Sequence, residues 1–216
     1  KSGSFGLGGD DEMNQTELDV HVPHAASLEV HVLSAPHAVD GVDGARLGVH
    51  TVSGRVHLGV RAGAVTVGSV SGDVDLTGSA RDFVVETVSG DVQAATVGES
   101  ATAQTVSGDV LLHGGALRRL GLGTVSGKLQ LDAAIAPEAS WKVDSMSGDV
   151  RIGLPADASA RIKADTFSGD LHTDFARPVS SEHGPGQHLN ATLGNGSATT
   201  TVPNFRGDVR IERGSH

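Results

Sequence analysis

The chain has 216 residues with a formal net charge of −10, thirty glycines, no cysteine, and one Trp and five Phe as its only aromatics. The glycine share is about twice the usual one and the aromatics are too few for a broad core, so many reversals around a narrow interior are implied. Disulfides and thiolate chemistry are excluded, singly scattered Lys and Arg speak against nucleic acid, and no apolar run approaches the ~18–20 residues that span a bilayer as a helix.

Residues 1–27 show no repeat and read as an N-terminal lead-in or cap; the opening KSGSFGLGGDDEMN has no apolar core of a signal peptide. From residue 28 to 216 the chain repeats itself. A degenerate first copy, VLSAPHAV at 32–39, places Ala35 where later copies have glycine, and the TVSGDV-like copies follow with Gly54, Gly72, Gly90, Gly108, Gly127, Gly148, Gly169 and Gly207. Successive spacings are 19, 18, 18, 18, 19, 21, 21 and 38. LGNGSATTTV reads as a half-coil between the last two copies, and the Pro/Gly-rich 176–187 as an inserted loop.

Aligned on this glycine, the columns show their environments. Two residues after it stand Val56, Val74, Val92, Val110, Leu129, Val150, Leu171 and Val209; seven before it stand Leu47, Val65, Phe83, Ala101, Leu120, Trp141, Ile162 and Thr200. Residues at +4 and −5 are also mostly apolar, with polar residues between, which is the two-residue period of a half-buried strand. Each coil thus holds two β-rich segments, a Ser-Gly bend and a return turn. Copies one coil apart must pair in parallel, so the fold class is all-β: a single-stranded parallel β-solenoid of 18–21 residues per coil, for which the usual crossover hand favours a right-handed β-helix. A left-handed hexapeptide helix, which also uses eighteen residues per coil, is the alternative, disfavoured by the coils of 21 and by the lack of a six-residue apolar repeat.

The bend glycine is explained by a tight turn against the next coil. The Ser or Thr at −3 (Thr51, Ser69, Thr87, Thr105, Thr124, Ser145, Thr166) is expected to form a hydroxyl ladder that satisfies bend amides, and a column of serines is no catalytic nucleophile. At +1 stand Asp73, Asp91, Asp109, Asp149, Asp170 and Asp208, with Arg55 and Lys128 interleaved. One carboxylate per coil is too few for the six to eight oxygens calcium takes, so relief by solvent and the basic residues is the expectation, and no metal or other cofactor is assigned. His31 and His50 share the −4 slot of successive coils, but the next residue in that slot is Gly68 and no third ligand follows. Arg206-Gly207-Asp208 fills the Ser-Gly-Asp slot of the last copy. The sequons at Asn14, Asn190 and Asn195 carry meaning only where the source glycosylates them.

The −2 column is apolar throughout: Val52, Val70, Val88, Val106, Val125, Met146, Phe167 and Phe205. Strict alternation from the inward −5 and −3 slots would turn it outward as a candidate interaction stripe. Bends break alternation, however, and a corner of the core is the favoured reading of this column.

The repeated TVSGDV, preceded by a segment such as VHVPHAASLEVHV, closely resembles the bacterial β-strand-repeat adhesin-like family, a DUF4097-like domain of unknown function, over about residues 18–212. The resemblance implies a β-helix, an export signal outside this sequence, residence in the periplasm or at the cell surface, and a link to envelope stress or attachment; it supplies no catalytic residue. The expected function is a non-enzymatic binding scaffold for a protein or cell-surface partner, which includes another copy of itself. The alternatives are a carbohydrate-acting β-helix lyase or hydrolase, supported by fold analogy alone, and a bactofilin-like self-assembling polymer.

Overall fold

The structure, a computed structural model, describes residues 26–176, 179–180 and 186–214. Residues 1–25 of the expected lead-in and most of the expected loop at 176–187 lie outside that set. The described residues form β1 (Leu28–Ser34), β2 (His37–Ser53), β3 (Val56–Ser71), β4 (Val74–Leu76), β5 (Ser79–Ser89), β6 (Val92–Ser107), β7 (Val110–Ser126), β8 (Leu129–Ser147), β9 (Val150–Leu154), β10 (Ala160–Ser168), β11 (Leu171–Thr173), β12 (Val179–Ser180), β13 (Gln187–Thr192), β14 (Ala198–Arg206) and β15 (Val209–Arg213). They stack as a β-solenoid of about seven turns, with no helix among the described residues.

Pairing is parallel and in step with the repeat. Leu28 pairs with Leu47, Leu47 with Val65, Val65 with Phe83, Phe83 with Ala101, Ala101 with Leu120 and Leu120 with Trp141. The inward columns at −7, −5, +2 and +4 are almost wholly buried from the second coil on, as at Leu58, Val67, Leu112 and Ile152. Trp141, the largest side chain in this core, donates its indole Nε1–H to the Leu117 carbonyl at 3.1 Å, so its one polar atom is satisfied inside. The growth of the coil from 18 to 19 and 21 residues is absorbed at the return turn, where the register slips between Ala94 and Val97, between Val97 and Ser100 and between Leu117 and Arg119. The bend side stays in register.

At the bends, a Cβ on Gly72, Gly90, Gly108, Gly127 or Gly148 would run into the carbonyl oxygen of the bend glycine in the coil before it. Five of the column, among them Gly54 at φ 117° and Gly207 at φ 113°, also have left-handed φ. Ala35 stands at the first described bend, and it is Gly54 whose Cβ would strike the Ala35 carbonyl.

The stacking order departs from the chain order at one end. β14 lies between β8 and β10, parallel to both, and β15 lies between β9 and β11. Hence the Gly207 bend sits between those of Gly148 and Gly169: Gly148 N–H donates to the Arg206 carbonyl at 3.0 Å and Gly207 N–H to that of Ser168 at 2.9 Å. The chain steps over one layer after β9, forms β10 and β11, reverses through antiparallel β13, and returns to fill the layer it skipped. The expected half-coil at LGNGSATTTV is therefore a turn followed by β14, a full strand of the inserted layer. The 38 residues from Gly169 to Gly207 mark an interruption in the sequence, but spacing reports order along the chain and does not show which layer the last copy fills.

Candidate interaction face

Alternation holds up to the bend. In the −3 slot Thr51, Ser69, Thr87, Thr105, Thr124, Ser145 and Thr166 are buried, and Asn204 of the inserted layer joins them. The −2 residues consequently point outward: Val52, Val70, Val88, Val106 and Val125 are 46–49% exposed, Met146 59%, Phe167 54% and Phe205 48%. The favoured corner-of-the-core reading is overturned, because the turn is made by the glycine itself and the strand pleat continues to the serine before it. The hydropathy of the two slots is inverted: the hydroxyls are inside and the valines outside.

The stripe gains a member at one end and is reordered at the other. Leu33, in the −2 slot of the Ala35 bend, is 79% exposed. At the other end the inserted layer places Phe205 between Met146 and Phe167, and the Phe205 and Phe167 rings stack at 5.0 Å with planes 2° apart. In stacking order the stripe runs Leu33, Val52, Val70, Val88, Val106, Val125, Met146, Phe205, Phe167. An open groove of ≈ 920 Å³ runs along the same face between the stripe's Val70, Val88, Val106 and Val125 and the outward −4 slot, and its lining includes Gly68, Gly121 and Gly123.

The hydroxyl ladder does not serve the bend amides as expected. Thr51 and Ser145 donate to the carbonyls of Ser53 and Gly148, Thr166 to that of Gly207, and Asn204 Nδ2–H to both Gly148 and Gly207. The bend amides are satisfied by backbone carbonyls of adjoining coils and by the aspartates. Asp73 Oδ1 accepts from Asp91 N–H at 3.1 Å, Asp91 Oδ1 from Asp109 N–H at 2.8 Å, and Asp109 Oδ1 from Lys128 N–H at 2.8 Å. The run resumes beyond Lys128, with Asp149 accepting from Asp208 and Asp208 from Asp170. Each of these five carboxylates thus faces an amide dipole rather than only its neighbour's charge, and Arg55 Nη2 lies 3.2 Å from Asp73 Oδ2 at one end. Asp208 of the Arg-Gly-Asp tripeptide is a member of this ladder. The column could be seen in the sequence, but its amide partners lie one coil away and had no local signal.

His31 and His50 stack at 5.0 Å between centroids, and the His50 ring extends over Gly68. No three His, Asp or Glu side chains gather as a metal site would require among the described residues. Asn195 is tied to Ser159 by a short hydrogen bond, and Asn190 lies exposed on β13.

No curated protein and no solved structure gives a significant match to the chain. A family model described as Toastrack DUF4097 matches residues 3–212, the same stretch that holds the glycine bends, the aspartate ladder and the outward stripe. The chain therefore belongs to the Toastrack DUF4097 family, a β-solenoid domain of unknown function.

Proposed function

We propose that the chain is a non-enzymatic scaffold of the cell envelope or cell surface, which binds a protein or surface partner through its outward apolar stripe. The observation that carries this reading is the stripe itself: one apolar side chain on every successive layer, about half exposed, beside core columns that are almost fully buried. Single exposed valines need no explanation, but a contiguous line of them along a folded domain does. Thr would supply comparable strand preference at an outward position without the exposed apolar surface, so the fold alone does not ask for Val there. A parallel stack repeats its outward groups every ~4.8 Å and so suits an extended contact rather than a single reacting centre. The family resemblance supports a place in the periplasm or at the surface.

Cell fractionation of the protein in its natural setting, beside the double variant Val88→Asp, Val106→Asp, tests this. The unaltered protein should be recovered with the envelope, and the variant should keep its β-sheet circular dichroism yet be released. Cytosolic residence, or a folded variant that keeps both its envelope retention and its self-association, would overturn the proposal.

A further inference from the structure

We propose that the partner of this face is a second copy of the chain, packed face to face with its rod reversed about a two-fold axis through Val106; this rests on the reading of the face as a binding surface. Among the described residues Val106 is the midpoint of the stripe, with Leu33, Val52, Val70 and Val88 on one side and Val125, Met146, Phe205 and Phe167 on the other. An axis along the strand direction at that layer lays every outward column on its own copy, with equally distant layers facing each other.

Three features of the face become complementary under this operation. Along the stripe, small meets large: Val52 faces Phe205 and Val70 faces Met146. In the neighbouring columns, holes meet knobs. Gly121 and Gly123 interrupt β7 where glycine costs backbone entropy, yet their φ angles are not left-handed, and a Cβ would find its nearest neighbours at an ordinary 3.8 and 4.0 Å. Nothing within one chain requires them. The layer brought opposite them carries Val84 and Glu86, outward in β5. Gly48, where a Cβ would likewise find only ordinary contact, receives Thr201. At the ends, Glu29, which within one chain pairs with His31 at 3.1 Å, stands opposite the Lys163 ammonium. A parallel pairing would instead set Phe on Phe at one end and hold the valines apart at the other.

Eight layer steps of ~4.8 Å and two column steps of ~6.8 Å give a footprint of roughly 38 by 14 Å, about 500 Å² per copy and about 1,000 Å² in all, the lower edge of specific interfaces. The dimer is accordingly concentration-dependent.

The chain has no cysteine, so introduced thiols report cleanly. Mild oxidation should cross-link Val106→Cys to itself in high yield. Val52→Cys alone should stay uncrosslinked, whereas Val52→Cys mixed with Phe205→Cys should give the mixed dimer. In sedimentation equilibrium Gly123→Leu should weaken dimerisation at least tenfold with circular dichroism unchanged. Self-cross-linking of Val52→Cys as efficient as that of Val106→Cys would overturn the reversed arrangement. A protein monomeric at millimolar concentration would overturn the second copy as partner. If such a monomer still loses envelope retention in the Val88→Asp, Val106→Asp variant, the binding-surface reading survives with a different partner; if retention is unaffected, both fail.

Discussion

One carbonyl oxygen in the adjoining coil decides the identity of each bend residue. At Gly108 a methyl group would collide with the backbone of Gly90, a partner that cannot swing aside as a side chain could. Gly108→Ala is therefore expected to destabilise by about 3 kcal/mol, at the upper end of ordinary single-site effects, and an unchanged melting temperature would reject the assignment. The aspartate beside it acts as an acceptor. Asp91→Ala should cost about 1 kcal/mol at this exposed position, and Asp91→Asn, which keeps an oxygen for the Asp109 amide, measurably less in denaturant titration. Because Oδ1 is already engaged by an amide, calorimetry with calcium should show no stoichiometric micromolar site; binding abolished by Asp91→Asn with Asp109→Asn would refute the acceptor role. Among the described residues the buried Thr105 hydroxyl has no hydrogen-bond partner. Thr105→Val should be neutral or stabilising, since it replaces an unsatisfied polar group by an apolar one of the same shape.

At the scale of the strand, the columns were legible wherever hydropathy and position agreed. Val56 and its counterparts announced the core, and the 18-residue spacing announced parallel pairing. The −2 column was ambiguous because Val88 or Val106 suits a core corner and an outward stripe equally by composition. The Thr one position earlier resolves the choice only once its burial is known. The position of β14 was not legible at all: Gly207 looks like the next copy after Gly169, and only the pairing of Thr200 with both Trp141 and Ile162 reveals the layer it fills. This arrangement couples two coils to one strand. Val202, fully buried in β14, pairs with Ala164 of β10, and its neighbour Thr201 pairs with Lys142 of β8, so Val202→Ala should destabilise by about 2 kcal/mol. Its effect should spread: amide exchange should rise in both β8 and β10 while β2 and β3 keep their protection, and a rise confined to β14 would show that the layers are not coupled.

Over the whole molecule, charge and shape work in opposite directions. A net charge of −10 keeps copies apart at low ionic strength, whereas the outward face mixes Glu29, Glu86, Asp144 and Asp165 with Lys142 and Lys163 along an apolar line. Association through that face should strengthen as salt rises toward physiological levels, where charges more than ~8 Å apart are largely screened. Light scattering across a salt series checks this, and dissociation on adding salt would place the main attraction in ion pairs rather than in the stripe. The skipped layer has a further consequence, for biosynthesis. As the chain leaves the ribosome, its coils up to β9 can settle one upon another in the order they are made, but β10 and β11 emerge before the strands that will lie beneath them. Until β14 and β15 arrive, two facing rows of backbone amides and carbonyls stand open, and an open parallel edge invites pairing with a strand from another chain. A message cut short before residue 198 would leave that gap for good, so damaged transcripts of this protein should yield aggregates rather than shorter rods, while whole 18-residue coils can be gained or lost upstream without touching the closure.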